Sequence, residues 1–215
     1  MSNSKLTMSR RKFFTVAAGA TALAATRGFA TTDTPALTAE SPMGPFFPTA
    51  YQGEDDFDLT MLKGHKTPAL GEVIQISGRV LDRHGNPMQG ARLKIWQANA
   101  AGRYAHENEQ NTAPLDPNFQ GVANLVTGST GEWRIKTIKP RFYDTPLGMR
   151  TPHIHFDVEG SAHRLVAQMY FPEEIKANAK DFLYKELGED APTSVAQKIA
   201  LATYRWDIVL MDALG

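Results

Sequence analysis

The sequence predicts an all-β fold, an antiparallel β-sandwich with a few short helices. Three observations support this prediction. From about residue 72 onward, apolar residues alternate with polar ones at a period of two, the apolar runs are short, and Gly, Pro and Asn turns separate them. Because strands joined by turns pair antiparallel, whereas strands joined by helices form parallel sheets, a sandwich is the favoured architecture.

Six segments carry the strand pattern. We predict strands at residues 74–80, 91–95, 132–138, 153–158, 165–171 and 204–211. Residues 105–123 are polar and aperiodic, which predicts a long loop of the kind that often has a functional role. Helices are expected at 172–187, which begins with Pro172 and two glutamates, and at 194–202.

Composition excludes several classes of protein. The chain has 0 cysteines, so a disulfide scaffold, a thiolate metal site and a cysteine nucleophile are excluded. Any metal must therefore be held by His, Asp, Glu or Tyr. The 23 basic and 23 acidic residues balance, but the first thirty residues are basic only, which leaves the rest of the chain mildly acidic. A nucleic-acid partner is not expected.

Residues 1–30 are typical of an export signal. Arg10 and Arg11 precede an uncharged stretch at 13–25, and small residues end the segment at Ala30. The stretch is too short to span a bilayer, so no stable membrane anchor is expected. The paired arginines resemble a twin-arginine signal and predict a periplasmic protein, an ordinary secretory signal being the alternative. A linker at 31–40 and a folded domain at 41–215 follow.

The richest chemical motif is a pair of histidines. His153 and His155 lie two residues apart in a predicted strand, so their Cα atoms are about 6.5 Å apart on one face while the intervening apolar residues fill the core. Asp157 follows on the same face and would complete a 2-His-1-carboxylate site. Tyr104 and Tyr143 are the alternative candidates for the remaining ligands, because a phenolate oxygen is a good ligand for a ferric ion. For each tyrosine, simple packing is the alternative.

An ordered set of motifs resembles the intradiol ring-cleavage dioxygenases, in particular the protocatechuate 3,4-dioxygenase type. The matching segments run through residues 41–172 in order. They are Gly44-Pro45-Phe46-Phe47, residues 78–104, Asp116-Pro117-Asn118-Phe119-Gln120-Gly121, residues 131–140, residues 150–156 and Gln168-Met169-Tyr170-Phe171.

The resemblance implies a non-haem Fe³⁺ ion held by Tyr104, Tyr143, His153 and His155, and it demotes Asp157. It further implies a catecholic substrate, of the protocatechuate or catechol type, and O₂, with a cis,cis-muconate-type diacid as product. Homo-oligomerisation is left open.

Two more positions match the family. Arg150 and Gln168 correspond to residues that stabilise the substrate as charge develops on its ring, and Tyr143 also acts in catalysis. The alternative for Arg150 is a surface salt bridge, and for Gln168 an outward polar position on a strand. Trp96 corresponds to an aromatic residue near the iron. The connection from Tyr143 to His153 is shorter than in the protocatechuate enzymes, so the loop facing the substrate differs.

One rival belongs to another class. Residues 80–91, with a Gly-Asn-Pro turn, also suit an exported, non-catalytic β-sandwich that binds carbohydrate or peptide. Such a module would be colourless and would need neither the tyrosines nor the histidines. The visible spectrum of the purified protein separates it from the dioxygenase.

Overall fold

The computed structural model describes residue 1 and residues 34–212. The predicted export signal, apart from Met1, and the first three residues of the predicted linker lie outside the described residues. Within residues 34–212, no helix combines the length and the apolar character that a membrane crossing requires.

Between residues 34 and 212 the chain forms eleven strands and two short α-helices. The strands are β1 (Val73–Leu81), β2 (Arg92–Trp96), β3 (Val122–Val126), β4 (Glu132–Ile138), β5 (Tyr143–Thr145), β6 (Gly148–Arg150), β7 (His153–Glu159), β8 (Arg164–Tyr170), β9 (Gln197–Ala200), β10 (Thr203–Arg205) and β11 (Ile208–Val209). The helices are α1 (Ile175–Asn178) and α2 (Phe182–Glu186), with 3₁₀ turns at Pro172–Glu174 and Gly188–Ser194.

The strands form two main sheets and a hairpin. One sheet is antiparallel in the order β3-β2-β7-β8. The other is built on β1, which pairs antiparallel with β4 on one side and parallel with β10 and β11 on the other, and β9 extends it beyond β10. Strands β5 and β6 pair only with each other.

The two sheets pack face to face around one apolar core. Phe156 of β7 lies between aromatic rings of the opposite sheet region, with ring centroids 5.2 Å from Trp133 and 4.9 Å from Trp206. Its neighbours Ile154 and Val158 are also fully buried. The predicted all-β sandwich is therefore confirmed, and so is the expectation that alternate residues of β7 fill the core.

The C-terminal strand differs from the prediction. Residues 204–211 do not form one strand but two short ones, because the chain crosses close to β1 between them. The backbone N–H of Trp206 donates to the Ser77 carbonyl at 2.9 Å, and a Cβ added at Gly78 would overlap the Trp206 carbonyl oxygen. Asp207 then accepts hydrogen bonds from Arg79 at 3.0 Å. Gly78 thus permits the approach that ends β10.

The helix predictions were only partly correct. The expected helix at 172–187 is broken, because Asp181 adopts an extended conformation and its carboxylate caps α2 by accepting from the Leu183 N–H at 3.0 Å. The expected helix at 194–202 was wrong. Residues Gln197–Ala200 form the edge strand β9, whose pairing with β10 overrides the local helical pattern.

The segment before β1 runs over the sandwich and leads toward the outer face of the β3-β2-β7-β8 sheet. Thr38 exchanges hydrogen bonds with Val209, at 3.1 Å and 2.9 Å, and the Ser41 N–H donates to Val166 O at 2.8 Å. These contacts bring Phe46 and Phe47 to the end of the sheet where the histidines lie.

Candidate active site

The two histidines lie on the face of β7 that points away from the core. Both are buried. His155 is flanked in register by Trp96 of β2 and Gln168 of β8. The Trp96 ring stacks on the His155 ring at a centroid distance of 4.8 Å and an angle of 13°. This contact fixes the plane of the imidazole, and it places Trp96 beside the site as the sequence predicted.

Tyr104 reaches the histidines through a tight turn after β2. The Asn99 side-chain oxygen accepts from the backbone N–H groups of residues 101 and 103, at 2.9 Å and 3.0 Å. Gly102 has a φ of 80°, and a Cβ there would overlap the Phe142 carbonyl oxygen. The turn therefore packs directly on the segment that carries the second tyrosine. Phe46 stacks on the Tyr104 ring at 4.5 Å.

Tyr143 opens the β5–β6 hairpin and completes the cluster. Its hydroxyl oxygen lies 3.4 Å from His153 Nε2, and His153 Nε2 lies 3.2 Å from His155 Nε2. The Tyr104 ring is 5.6 Å from the Tyr143 ring and 6.1 Å from the His155 ring. The structure thus brings together all four residues that the sequence proposed as ligands.

Both imidazoles are neutral at neutral pH. Burial lowers the pKa of His153 well below its ordinary value, and the positive charge of Arg150 adds to the effect. The same two causes lower the pKa of His155 to about 3. His153 Nδ1 lies 2.6 Å from the Thr151 carbonyl, which only accepts, so the single proton of His153 is on Nδ1. Its Nε2 therefore presents a lone pair to the cluster.

The cluster also contains polar atoms with no protein partner. Among the described residues, Tyr104 Oη and His155 Nδ1 are buried and make no hydrogen bond. Burial raises the pKa of Tyr104 well above its ordinary value and also raises that of Tyr143, so both are phenols when nothing binds them. An unpaired buried polar group costs about 1–3 kcal/mol. A cation bound between two phenolates and two imidazoles would use Tyr104 Oη and the histidine Nε2 atoms, which lie 3.2 Å apart, so the residues fit a metal.

A carboxylate site does not fit. Asp157 lies further along β7, and both of its oxygens accept from Arg164, at 2.7 Å and 2.8 Å. Within residues 34–212, no group of three His, Cys, Asp or Glu side chains could hold a metal ion. The 2-His-1-carboxylate alternative is therefore not favoured.

Arg150 and Gln168 lie together beside the cluster. The Arg150 guanidinium donates to Gln168 Oε1 at 2.5 Å, and the Tyr170 hydroxyl donates to the same oxygen at 2.9 Å. Arg150 is only 4% exposed, so it is not a surface salt-bridge partner. Gln168 is fully buried, so it is not an outward polar residue either.

Asp181 organises this network, and the sequence reasoning missed it. One of its oxygens accepts from Arg150 Nε and from the Thr151 N–H, both at 2.9 Å, while the other caps α2. An aspartate ahead of a short helix is a recognisable capping signal. Its ion pair with Arg150, thirty-one residues away, depends on the tertiary fold.

A cavity of about 940 Å³ opens above these groups. Tyr143, Arg150, His155 and Gln168 form its floor. Its walls come from residues 108–113 of the long loop, residues 144–147 of the β5–β6 hairpin and the start of α2. The predicted loop at 105–123 thus lines the cavity, although its last two residues belong to β3.

Comparison with known proteins agrees with this architecture. A family model described as Dioxygenase matches residues 43–212, so the chain is a dioxygenase. The protocatechuate 3,4-dioxygenase beta chain of Burkholderia cepacia is 40% identical over 177 residues, which cover 74% of this chain and 75% of the relative. The chain belongs to the intradiol ring-cleavage dioxygenase family and resembles its protocatechuate 3,4-dioxygenases.

Solved structures share the fold. The dioxygenase domain of a dioxygenase carbohydrate-binding protein fusion from Streptomyces sp. SirexAA-E superposes with a TM-score of 0.63 at 26% identity, covering 83% of this chain and 100% of that one. Catechol 1,2-dioxygenase from Pseudomonas arvilla C-1 gives a TM-score of 0.61 at 22% identity, covering 80% of this chain and 62% of that one. The second likeness concerns the fold alone.

Proposed function

We propose that the chain is a non-haem Fe³⁺ enzyme that inserts both atoms of O₂ into a catechol and forms a cis,cis-muconate-type diacid. One observation carries this proposal. Two tyrosines and two neutral histidines converge beside a cavity that Tyr143 and His155 line, and among the described residues Tyr104 Oη is unpaired. Phenolate oxygens favour a ferric ion, whereas a carbohydrate- or peptide-binding module has no use for this set.

Tyr104, Tyr143, His153 and His155 would hold the ion. When bound, the ion would supply a positive centre for the catechol and make its ring reactive toward O₂. Tyr143 Oη is the proton acceptor for one catechol hydroxyl. It suits this role because burial raises the pKa of the free phenol, so a proton received at Tyr143 Oη stays there at neutral pH. Tyr143 lines the cavity, whereas Tyr104 lies behind it.

Arg150 and Gln168 would stabilise the substrate ring as negative charge develops on it. Both line the cavity floor next to His155, and the Arg150 side chain is already oriented by Asp181 and Gln168. A preorganised cation of this kind acts without reorganisation during the reaction. It typically lowers the activation free energy by on the order of 3 kcal/mol.

Further copies of the chain are the proposed partners in solution. The relative from Burkholderia cepacia is named as a beta chain, which supports an assembly of more than one polypeptide. The small-molecule partners are the catecholic substrate and O₂.

Metal content and the visible spectrum of the purified full chain test the proposed function. We expect about one iron per chain, a visible band from ferric phenolate, and a change in that band when catechol is added without O₂. Admitting O₂ should then give a ring-opened diacid, identified by mass spectrometry. A colourless protein that binds no iron would overturn the proposal and favour the binding module.

A further inference from the structure

We infer that the cavity selects catechols whose ring substituent is uncharged and discriminates against catechols that carry a ring carboxylate. The inference deepens the proposed function and rests on it for the position of the ring. It starts from the charges that line the cavity. Among the described residues there, Arg150 is the one cation, and Glu109 and Asp144 are acids.

The Arg150 guanidinium is already hydrogen-bonded within the protein. Its Nε donates to Asp181 at 2.9 Å, and the Asp181 side chain is 0% exposed. Another guanidinium nitrogen donates to Gln168. Arg150 is thus held at the cavity floor, where the substrate ring is proposed to lie, and a carboxylate on the ring would have to compete with Asp181 and Gln168 for it.

A cation close to the site in sequence, Arg103, faces elsewhere. Arg103 precedes Tyr104, and its guanidinium donates to the Ala113 carbonyl at 2.8 Å. Arg103 lines a separate recess that also contains Trp96 and Gln120, and it is not part of the lining of the large cavity. No second cation of the described chain is thus available to a ligand in that cavity.

A ring carboxylate would be unfavourable in these surroundings. It would lose water without gaining an opposite charge, and a buried charge without a partner is strongly disfavoured. Glu109 and Asp144 would add like-charge repulsion. Both effects weaken binding of a carboxylated catechol and leave an uncharged one unaffected.

An uncharged substituent has apolar surface to contact. The side chains of the lining include several aromatic and aliphatic groups, namely Phe46, Phe142, Pro146, Leu147, Phe182 and Leu183. The volume of about 940 Å³ lies near the upper end of the range of about 300–1,000 Å³ for pockets that take drug-sized ligands. There is room for an alkyl or aryl group on the catechol ring. The chain would then differ in substrate from its relative named for protocatechuate.

Two ligands of similar shape test the inference on the iron-loaded full chain: 4-methylcatechol and protocatechuate. Titration without O₂ measures binding independently of ring cleavage. We expect 4-methylcatechol to bind at least about tenfold more tightly than protocatechuate, a difference of about 1.4 kcal/mol in binding free energy. We also expect it to have the higher kcat/KM with O₂. Equal or tighter binding of protocatechuate would overturn the inference, whatever the turnover.

Failure of the proposed function gives a different result. If 4-methylcatechol binds more tightly but neither compound is opened by O₂, the selectivity stands and the dioxygenase proposal fails. If protocatechuate is bound more tightly and opened, the dioxygenase proposal stands and the selectivity fails.

A charge-reversing variant tests the cause. Asp144 lies on the exposed β5–β6 hairpin and lines the cavity, so Asp144→Lys should improve protocatechuate binding relative to 4-methylcatechol by roughly three- to tenfold. Glu107→Lys is the matched control, because Glu107 lies in the long loop but does not line the cavity. An unchanged ratio in Asp144→Lys, or an equal change in Glu107→Lys, would overturn the argument from cavity charge.

Discussion

The four clustered Tyr and His side chains are positioned by their neighbours and not by strong bonds to one another. Trp96 stacks on His155, the Thr151 carbonyl fixes the proton of His153, and Phe46 stacks on Tyr104. This arrangement leaves free the atoms that would face the proposed metal. It also means that a single ligand can be changed without collapsing the cluster.

Replacing Tyr143 by Phe is the sharpest test of the phenolate proposal. The variant keeps the ring and loses only the hydroxyl, whose contact with His153 Nε2 is long at 3.4 Å, so the fold should lose no more than about 1 kcal/mol. Colour should weaken and shift, because Tyr104 remains. Turnover should fall far more than iron content, since three protein ligands persist. Absorption spectroscopy, metal analysis and steady-state kinetics measure the three effects.

His155→Ala is the matched control for Tyr143→Phe. It removes a ligand that is not proposed to exchange protons with the substrate, so iron occupancy itself should fall. Full colour and full activity in Tyr143→Phe would show that Tyr143 is not a ligand.

Arg150 has a structural role in addition to the catalytic role proposed for it. A residue that acts only in the transition state could be removed without loss of stability, but Arg150 is paired with the fully buried Asp181. Arg150→Ala should therefore cost about 3–5 kcal/mol of unfolding free energy, because it leaves a carboxylate unpaired. It should also reduce kcat on the order of a hundredfold.

A double-mutant cycle separates these two roles of Arg150. The double variant Arg150→Ala with Asp181→Ala should lose less stability than the sum of the two single losses, because no charge is left unpaired, and it should recover none of the turnover. Denaturant unfolding and kcat measure the two roles on the same proteins. Strictly additive losses of stability would contradict the ion pair.

At the scale of elements, periodicity succeeded in five strands that have one face in the core, whereas β3, which buries Ala123, was not predicted. The prediction for residues 132–138 matches β4, and those for 74–80, 91–95, 153–158 and 165–171 lie within about one residue of β1, β2, β7 and β8. In each of these strands, buried apolar residues follow the pattern that hydrophobic burial imposes.

Periodicity failed where a partner strand decides the structure. Strand β9 is exposed along its whole length, so its sequence has no alternation of buried and exposed residues that would predict a strand. Its hydrogen bonds to β10 hold it extended. The β5–β6 hairpin is only three residues on each side and was also missed. This hairpin carries Tyr143 and Arg150, so the sequence identified the residues of the site without the element that presents them.

The turn between β7 and β8 gives a pH-dependent prediction. Asp212 accepts from the Ser161 hydroxyl and the Ala162 N–H, both at 2.7 Å, and from the His163 N–H at 3.3 Å. Burial acts to raise the pKa of Asp212, but these hydrogen bonds and the nearby His163 outweigh it, and the pKa is lowered. The ionised carboxylate therefore stabilises the fold above the ordinary Asp pKa of about 3.9, and this contribution is lost as pH falls below it.

Replacing Asp212 by Asn should reveal this dependence. The variant should be about 1–2 kcal/mol less stable than the parent at pH 7, and the difference should shrink below about pH 4. Urea unfolding at several pH values measures it, with Asp190→Asn at an exposed position as the control. A difference that stays constant with pH would contradict the role of the charge.

At the scale of the whole molecule, one strand serves both stability and chemistry. The apolar residues of β7 fill the space between the sheets, and its histidines point to the opposite face and into the site. The ligand geometry is therefore set by the folded core. We propose that metal loading accordingly follows folding, which matters because residues 1–30 are predicted to be an export signal.

The last prediction concerns that signal and the route it specifies. The paired Arg10 and Arg11 are the distinguishing feature of a twin-arginine signal, a route for proteins that are already folded, so we propose that the iron-loaded protein is carried to the periplasm. Changing both to Lys keeps the charge and should strand the precursor in the cytoplasm, still folded and still coloured. Cell fractionation with immunoblotting and a visible spectrum of each fraction measures the outcome. Arg27→Lys, in the same basic segment but outside the pair, should export normally. Normal export of the doubly substituted chain would instead indicate an ordinary secretory signal, and the protein would then have to fold and acquire its metal after crossing the membrane.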